Sequence, residues 1–316
     1  MQNIIETSLI YDNRRRKIFI NNTYEPTIIE IDGIRYVAQI PGNKGGHSYI
    51  IQLCEEDEYS VDEDFHPTKV LKVSNAGIRK RTEGKLTFDE RNKRFVREIV
   101  ALRDCKAHHF LDIIDLQYVG YLKVHWVNSF MYFPFYMMDF ADKDLRMYMD
   151  EMREQLDDYA KIDLCLQLAQ GLKELYDLGY YHRDLKPDNI LFVHGKWQIG
   201  DLGLISFRND DIDVDNEFIG PRGWESPEVM NKFLADGNDN FDSNIDHQSD
   251  IFQLGLIFWF IMQGNSPIGS IKRNDFVNSS DQIFEVIKRM IWHSKKDRCK
   301  EIDEVIDKLK HILSKI

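Results

Sequence analysis

Apolar and β-branched residues in the first part of the chain come in short runs, at 18–20, 27–31, 35–40 and 49–53, several broken by Asn or Gly. Each run predicts a strand. Asp32-Gly33 is a tight-turn signal. Residues 55–64 carry seven acidic side chains and no basic one, which predicts a solvated loop. Residues 70–73 give a further strand, and a polar, basic connector follows at 79–93. From about 89 to 103 the period lengthens. Phe95, Ile99 and Leu102 fall at i, i+4 and i+7, one helical stripe. Residues 118–127 and 130–140 read as a strand pair. Past 144 the pattern is mostly helical, with Leu164, Leu168, Leu172 and Leu175 on one face. Two short strands flank His194-Gly195, and 206–246 reads as loop rich in Asp and Asn. The run 251–262 is almost wholly apolar and predicts a buried helix. Helices at 283–292 and 302–312 complete the pattern. Strands first and helices second predict an α+β, bilobal chain, with a small mostly β lobe and a larger helical one.

Composition narrows the function. The chain has 316 residues and a formal net charge of -12. An acidic chain is a poor unspecific binder of nucleic acid or anionic membranes. The one dense basic run near the start, 14–17, reads as a solvated strand edge. Cysteines at 54, 105, 165 and 299 form no CxxC pair, which disfavours metal or disulfide scaffolding and fits a reducing compartment. The most apolar segment, 254–262, is too short to span a bilayer. No secretion signal is apparent, so the expected location is cytoplasmic, or a host cytosol for a delivered effector.

The chemistry concentrates in YYHRDLKPDNILFVHGKWQIGDLGLISF, residues 180–207. Asp184 and Asn189 stand five apart, and Asp201 follows on the far side of the predicted hairpin. That hairpin would fold Asp201 back toward Asn189. An amide oxygen and a carboxylate together suit a hard divalent cation such as Mg²⁺. Asp184 is then available to orient a hydroxyl and take its proton, with Lys186 offsetting charge on a phosphoryl group. Any one of these residues alone is more often a turn former or cap. The spaced set carries the inference.

This stretch resembles the catalytic loop of eukaryotic-like serine/threonine protein kinases, with Asp201-Leu202-Gly203 in place of Asp-Phe-Gly. The resemblance implies a kinase domain over 35–312, with an N-lobe about 35–138, a hinge about 139–143 and a C-lobe about 144–312. Residues 1–34 form a strand-rich N-terminal extension. It implies ATP and Mg²⁺ as cofactors and a protein as substrate. It gives catalytic roles to Asp184, Lys186, Lys72 and Glu98, and metal binding to Asn189 and Asp201. Lys72 resembles the strand lysine that grips ATP phosphates, with Lys69 as the competing candidate. Glu98 resembles its helical partner. Gly42, Gly45 and Gly46 occupy the phosphate-loop position, where one glycine of the family's pattern is matched. Met138, Asp139, Phe140 and Ala141 match the segment that holds the adenine edge. Arg183, Glu228, Asp250 and Arg298 take structural roles, with an ion pair expected between Glu228 and Arg298. Asp250 is expected to anchor the catalytic loop or to cap its helix.

Two departures bear on regulation and substrate. Pro221 stands where a threonine is usual in the serine/threonine branch, which Lys186 otherwise supports. The only hydroxyls in 201–228 are Ser206 and Ser226. An acidic residue among Asp210, Asp211, Asp213, Asp215 and Glu217 is a candidate partner for Arg183, giving activity without phosphorylation of that segment. The alternatives are a pseudokinase scaffold and a small-molecule kinase.

Overall fold

Alternating strand residues of the first unit turn one side chain set inward, and that set forms a single core. The computed structural model describes residues 3–12, 14–15, 17–20, 25–41, 48–78, 92–109, 112–208, 218–234, 241–267, 269–277 and 280–316. Chain contacts divide it into two compact units, 1–103 with 115–140, and 104–114 with 141–316.

The first unit holds β1 (Ile4–Asp12), β2 (Lys17–Phe19), β3 (Thr27–Ile31), β4 (Ile34–Gln39), β5 (Ser48–Glu55), β6 (Lys69–Ser74), β7 (Tyr118–Trp126) and β8 (Ser129–Asp139), with most of α1 (Lys93–Ala107). They form one eight-stranded sheet in the order β2-β1-β7-β8-β6-β5-β4-β3. All neighbours pair antiparallel except β1, which runs parallel to β7. The sheet curls until β1 packs against β3 at its other end. Leu9, Ile29, Ile31, Leu53, Leu71, Val73, Leu122, Phe133 and Phe135 fill the enclosed core. Each such side chain contributes about 1.5–3 kcal/mol by leaving water.

Residues 1–34 therefore supply three strands to the same sheet as the rest of the unit. β1 was not expected. Its pairing with β7 slips between Glu6 and Ile10, and Leu9 alone in it is fully buried, so no clean alternation marks it. The acidic stretch after β5 is not all irregular, because Glu56–Glu58 makes one 3₁₀ turn.

The second unit opens with β9 (Lys143–Asp144), α2 (Leu145–Met152), α3 (Asp158–Asp177) and β10 (Tyr180–Tyr181). It continues through β11 (Ile190–Val193), β12 (Lys196–Ile199) and β13 (Ser206–Phe207). Helices α4 (Pro227–Leu234), α5 (His247–Gln263), α6 (Asp281–Met290) and α7 (Ile302–Leu313) complete it. Asp144 and Asp157 cap α2 and α3 by accepting from backbone N–H groups of Met147 and Ala160. Helix α5 is buried nearly all round, as its apolar run requires. Two expectations change here. The stretch 206–246 contains a helix, α4, which begins with Pro227 at its first position and Glu228 behind it. The helix expected at 283–292 stops at Met290.

Candidate active site

The loop 182–189 lies in the second unit, and almost none of its backbone is held by ordinary secondary structure. Arg183 sits at φ 70° and Asp201 at φ 52°, both in the left-handed region that non-glycine residues rarely occupy. Such backbone persists only where the surroundings over-determine it. The restraint comes from α5. Asp250 accepts from the N–H groups of His182 and Arg183, both at 2.7 Å. Gln253, one turn on, accepts from Leu185 N–H at 2.9 Å and donates to Arg183 C=O at 3.4 Å. Asp250 and Gln253 are fully buried. Burial pushes the Asp250 carboxyl up to about 7, although the two backbone N–H groups pull the other way. The helix-cap role belongs instead to Asp246, which forms a capping box with Ser249.

His182 is internal to the loop. Its Nδ1 accepts from Asp184 N–H at 3.2 Å, which leaves Nε2 to donate to Gly200 C=O at 3.0 Å. The imidazole thus ties the start of the loop to the end of β12.

Asp184 itself is buried to 8% exposure. Its Oδ2 accepts from Lys186 Nζ at 3.1 Å and from Asn189 Nδ2 at 2.9 Å. Asn189 Nδ2 also donates to Asp184 C=O at 2.8 Å. Desolvation pushes the Asp184 carboxyl up to about 6; Lys186 opposes the shift and the nearby Asp201 adds to it. A carboxyl poised there is ionised at neutral pH yet basic enough to receive a proton.

The expected hairpin is present, with Ile190 opposite Ile199. Gly200 N–H donates to Asn189 C=O at 2.8 Å, which brings the residue before Asp201 against Asn189. Asp201 Oδ1 accepts from Gly203 N–H, and Leu202 is fully buried as the packing member. Asn189 spends its amide nitrogen on Asp184, so its carbonyl oxygen is the donor atom it offers. With the Asp201 carboxylate this makes a pair of hard oxygen donors, which fits Mg²⁺. Among the described residues no group of three His, Cys, Asp or Glu is placed to hold a metal. An ion here would therefore take its remaining ligands from phosphate and water, as Mg²⁺ commonly does.

Within the first unit, Lys72 on β6 and Glu98 on α1 form a buried ion pair at 2.6 Å. The structure therefore gives the helical glutamate to Lys72 and not to Lys69. Lys69 pairs with Asp139 at 2.6 Å, on the strand beside it. Tyr136 on β8 lies opposite Lys72 and donates its hydroxyl to Glu98 Oε1 at 2.9 Å. Its ring stacks on Phe95, one turn before Glu98. Met138 and Asp139 end β8, and Phe140 N–H donates to Thr68 C=O at 3.0 Å. Ala141 opens the second unit's main segment. Gly42, Gly45 and Gly46 lie outside the described residues, as do the acidic side chains of 210–217.

The model of the family described as protein kinase domain matches residues 69–316. The chain belongs to the protein kinase family. Mitogen-activated protein kinase 4 of Oryza sativa is 27% identical over 236 residues, 72% of this chain and 60% of that protein. The serine/threonine-protein kinase Nek2 of Homo sapiens is 30% identical over 159 residues, 44% of this chain and 33% of that one. The sensor for unfolded proteins in the ER, ire1, of Schizosaccharomyces pombe is 31% identical over 132 residues, 34% of this chain and 12% of its own length. This kinase domain chain thus spans between 12% and 60% of these relatives.

The kinase domain is stabilised behind the loop by Glu228 and Arg298, paired in two hydrogen bonds of 2.9 and 3.2 Å and both buried. Every N–H of Arg298 is used. The rest go to the carbonyls of Gln248, Trp292 and His293, each at 2.9 Å. Ser249 also donates to Glu228, at Oε2, at 3.1 Å. The sequence marked His182 only as part of the motif, without a role, and did not single out Gln253 or Tyr136. A signal existed for Gln253, a lone polar residue three positions after Asp250 inside an apolar helix.

Proposed function

We propose that this kinase domain transfers the γ-phosphoryl group of ATP, with Mg²⁺, to serine or threonine hydroxyls of a protein. The observation that carries the proposal is the Asp184 carboxyl, buried, pushed up to about 6 and fixed by Lys186 and Asn189. Mg²⁺-ATP supplies the phosphoryl group and the charge that activates it for transfer. Asp184 orients the acceptor hydroxyl and receives its proton. Lys186 holds Asp184 in place and offsets charge near the transferred group. Asn189 and Asp201 supply the oxygen donors for the ion. Lys72, steered by Glu98 and Tyr136, binds phosphate oxygens. The backbone of Met138–Ala141 takes the adenine edge, and the 42–46 glycines the phosphates. The serine/threonine branch is supported by Lys186 and by relatives such as Nek2.

Both hydroxyls of 201–228, Ser206 and Ser226, are buried. That burial supports the reading that activity needs no phosphorylation there, with an acidic residue of 210–217 proposed as the partner of Arg183 instead. Charge reversal of those acids tests this, and unchanged activity rejects it. A reducing, cytosolic setting fits four buried free thiols. Among the described residues no helix is long and apolar enough to cross a membrane.

The deciding experiment incubates the chain with γ-labelled ATP, Mg²⁺ and a mixed protein substrate, beside Asp184→Ala. Asp184-dependent label on serine or threonine is the expected result. Label on tyrosine would reject the branch. Transfer only to small alcohols or aminoglycosides would reject the protein substrate, and no nucleotide binding at all would leave a scaffold.

A further inference from the structure

Catalytic geometry at Asp184 depends on the two peptide groups that flank its Cα, since they set where the carboxylate points. Those groups are the Arg183 C=O on one side and the Leu185 N–H on the other. Gln253 bonds both, donating from Nε2 to Arg183 C=O at 3.4 Å and accepting at Oε1 from Leu185 N–H at 2.9 Å. The orientation of the amide is forced, because a carbonyl can only accept and an N–H can only donate. Gln253 is fully buried, on the same face of α5 as Asp250. The two residues divide the loop. Asp250 takes the N–H groups of His182 and Arg183, upstream of Asp184, and does not reach Leu185. The remaining backbone groups of Asp184 go to His182 Nδ1 and Asn189 Nδ2.

We infer that Gln253 is a positioning residue for phosphotransfer, its side-chain amide bridging both peptide groups around Asp184 so that the carboxylate is held in register with the acceptor hydroxyl. The inference deepens the phosphotransfer reading and rests on it. Left-handed backbone at Arg183 gives the bridge its purpose: residues 182–186 have no helix or strand ladder to hold them, and a shift of about 1 Å at a reacting group costs up to a hundredfold in rate. Gln253 touches no reacting atom, so it acts through Asp184 alone. Its loss therefore lowers kcat and spares nucleotide affinity.

The test uses the full chain with Gln253→Met, which keeps length and volume and makes neither bond; Gln253→Leu serves if that variant does not fold. Assays run at a temperature well below the melting of each protein. The expected result is a kcat roughly ten- to a hundredfold below wild type, with the KM for ATP changed by less than about threefold. A purely structural glutamine would lower the melting temperature and leave kcat per folded molecule alone. A kcat within about twofold of wild type overturns the inference. Hydrogen exchange on the wild-type chain gives an independent arm that needs no variant. The Leu185 amide is expected to be strongly protected, and exchange there at the rate of an unstructured peptide also overturns it. If wild type transfers no phosphate, the reaction itself is rejected and the exchange arm decides whether the bridge exists.

Discussion

Asp184 holds its proton up to about pH 6 because burial disfavours the carboxylate more than Lys186 and Asn189 favour it. The base form is lost as pH falls, so kcat/KM is expected to decline with unit slope below about pH 6 in a pH–rate profile. Asp184→Asn should remove that limb along with about 10²–10⁴-fold of the rate. The stability contribution has the opposite sense. A carboxyl raised in the fold stabilises most below its ordinary value, and that contribution is lost as pH rises through about 6. At the first unit's ion pair, Tyr136→Phe removes one bond to Glu98 and is expected to cost about 1.5–3 kcal/mol by denaturant titration. Glu98→Ala leaves a buried ammonium and should cost about 3–5 kcal/mol. Asp184, Asn189 and Asp201 were legible because their spacing is tied to a hairpin. Tyr136 and Gln253 were not, because each acts through a partner 38 or about 70 residues away.

Strands and helices show where periodicity suffices and where it fails. β3, β6 and α5 stand out because their apolar pattern matches their burial. β1 is obscured by the slip against β7, and α4 by its brevity, although Ser226-Pro227-Glu228 already carried a helix-start signal. The structural weight of β1 is nevertheless plain, since Leu9 is fully buried in the sheet's core. Leu9→Ala is expected to cost about 2–5 kcal/mol, read as an earlier midpoint in urea. An unchanged midpoint would mean that the first strands are dispensable. Between α4 and the α6–α7 connection, Glu228→Ala strands the fully used guanidinium of Arg298 and should cost about 3–5 kcal/mol.

For the molecule entire, the net charge of -12 bears on which peptides approach it. Basic peptides should be steered toward it and acidic ones repelled. Raising ionic strength from about 50 to 500 mM is expected to lower kcat/KM for a Lys/Arg-rich peptide more than for a neutral one. Equal sensitivity would place the charge away from the productive approach. The α+β class and the succession of strands before helices followed from the chain's pattern. The eightfold sheet did not, because pairing across more than a hundred residues leaves no local trace.

The parallel partnership of β1 with β7 also sets an order of events at the ribosome. Ile4 pairs with Tyr121, so β1 emerges long before the strand that receives it. At ordinary rates of synthesis the delay is roughly 6–23 s. During that interval the β1–β2 ribbon is a nascent edge with no acceptor, open to chaperones and to neighbouring nascent chains. Completion of this sheet is thus gated by translation through β8, which joins β7 to β6, and slow codons between β2 and β7 would prolong the exposure of β1.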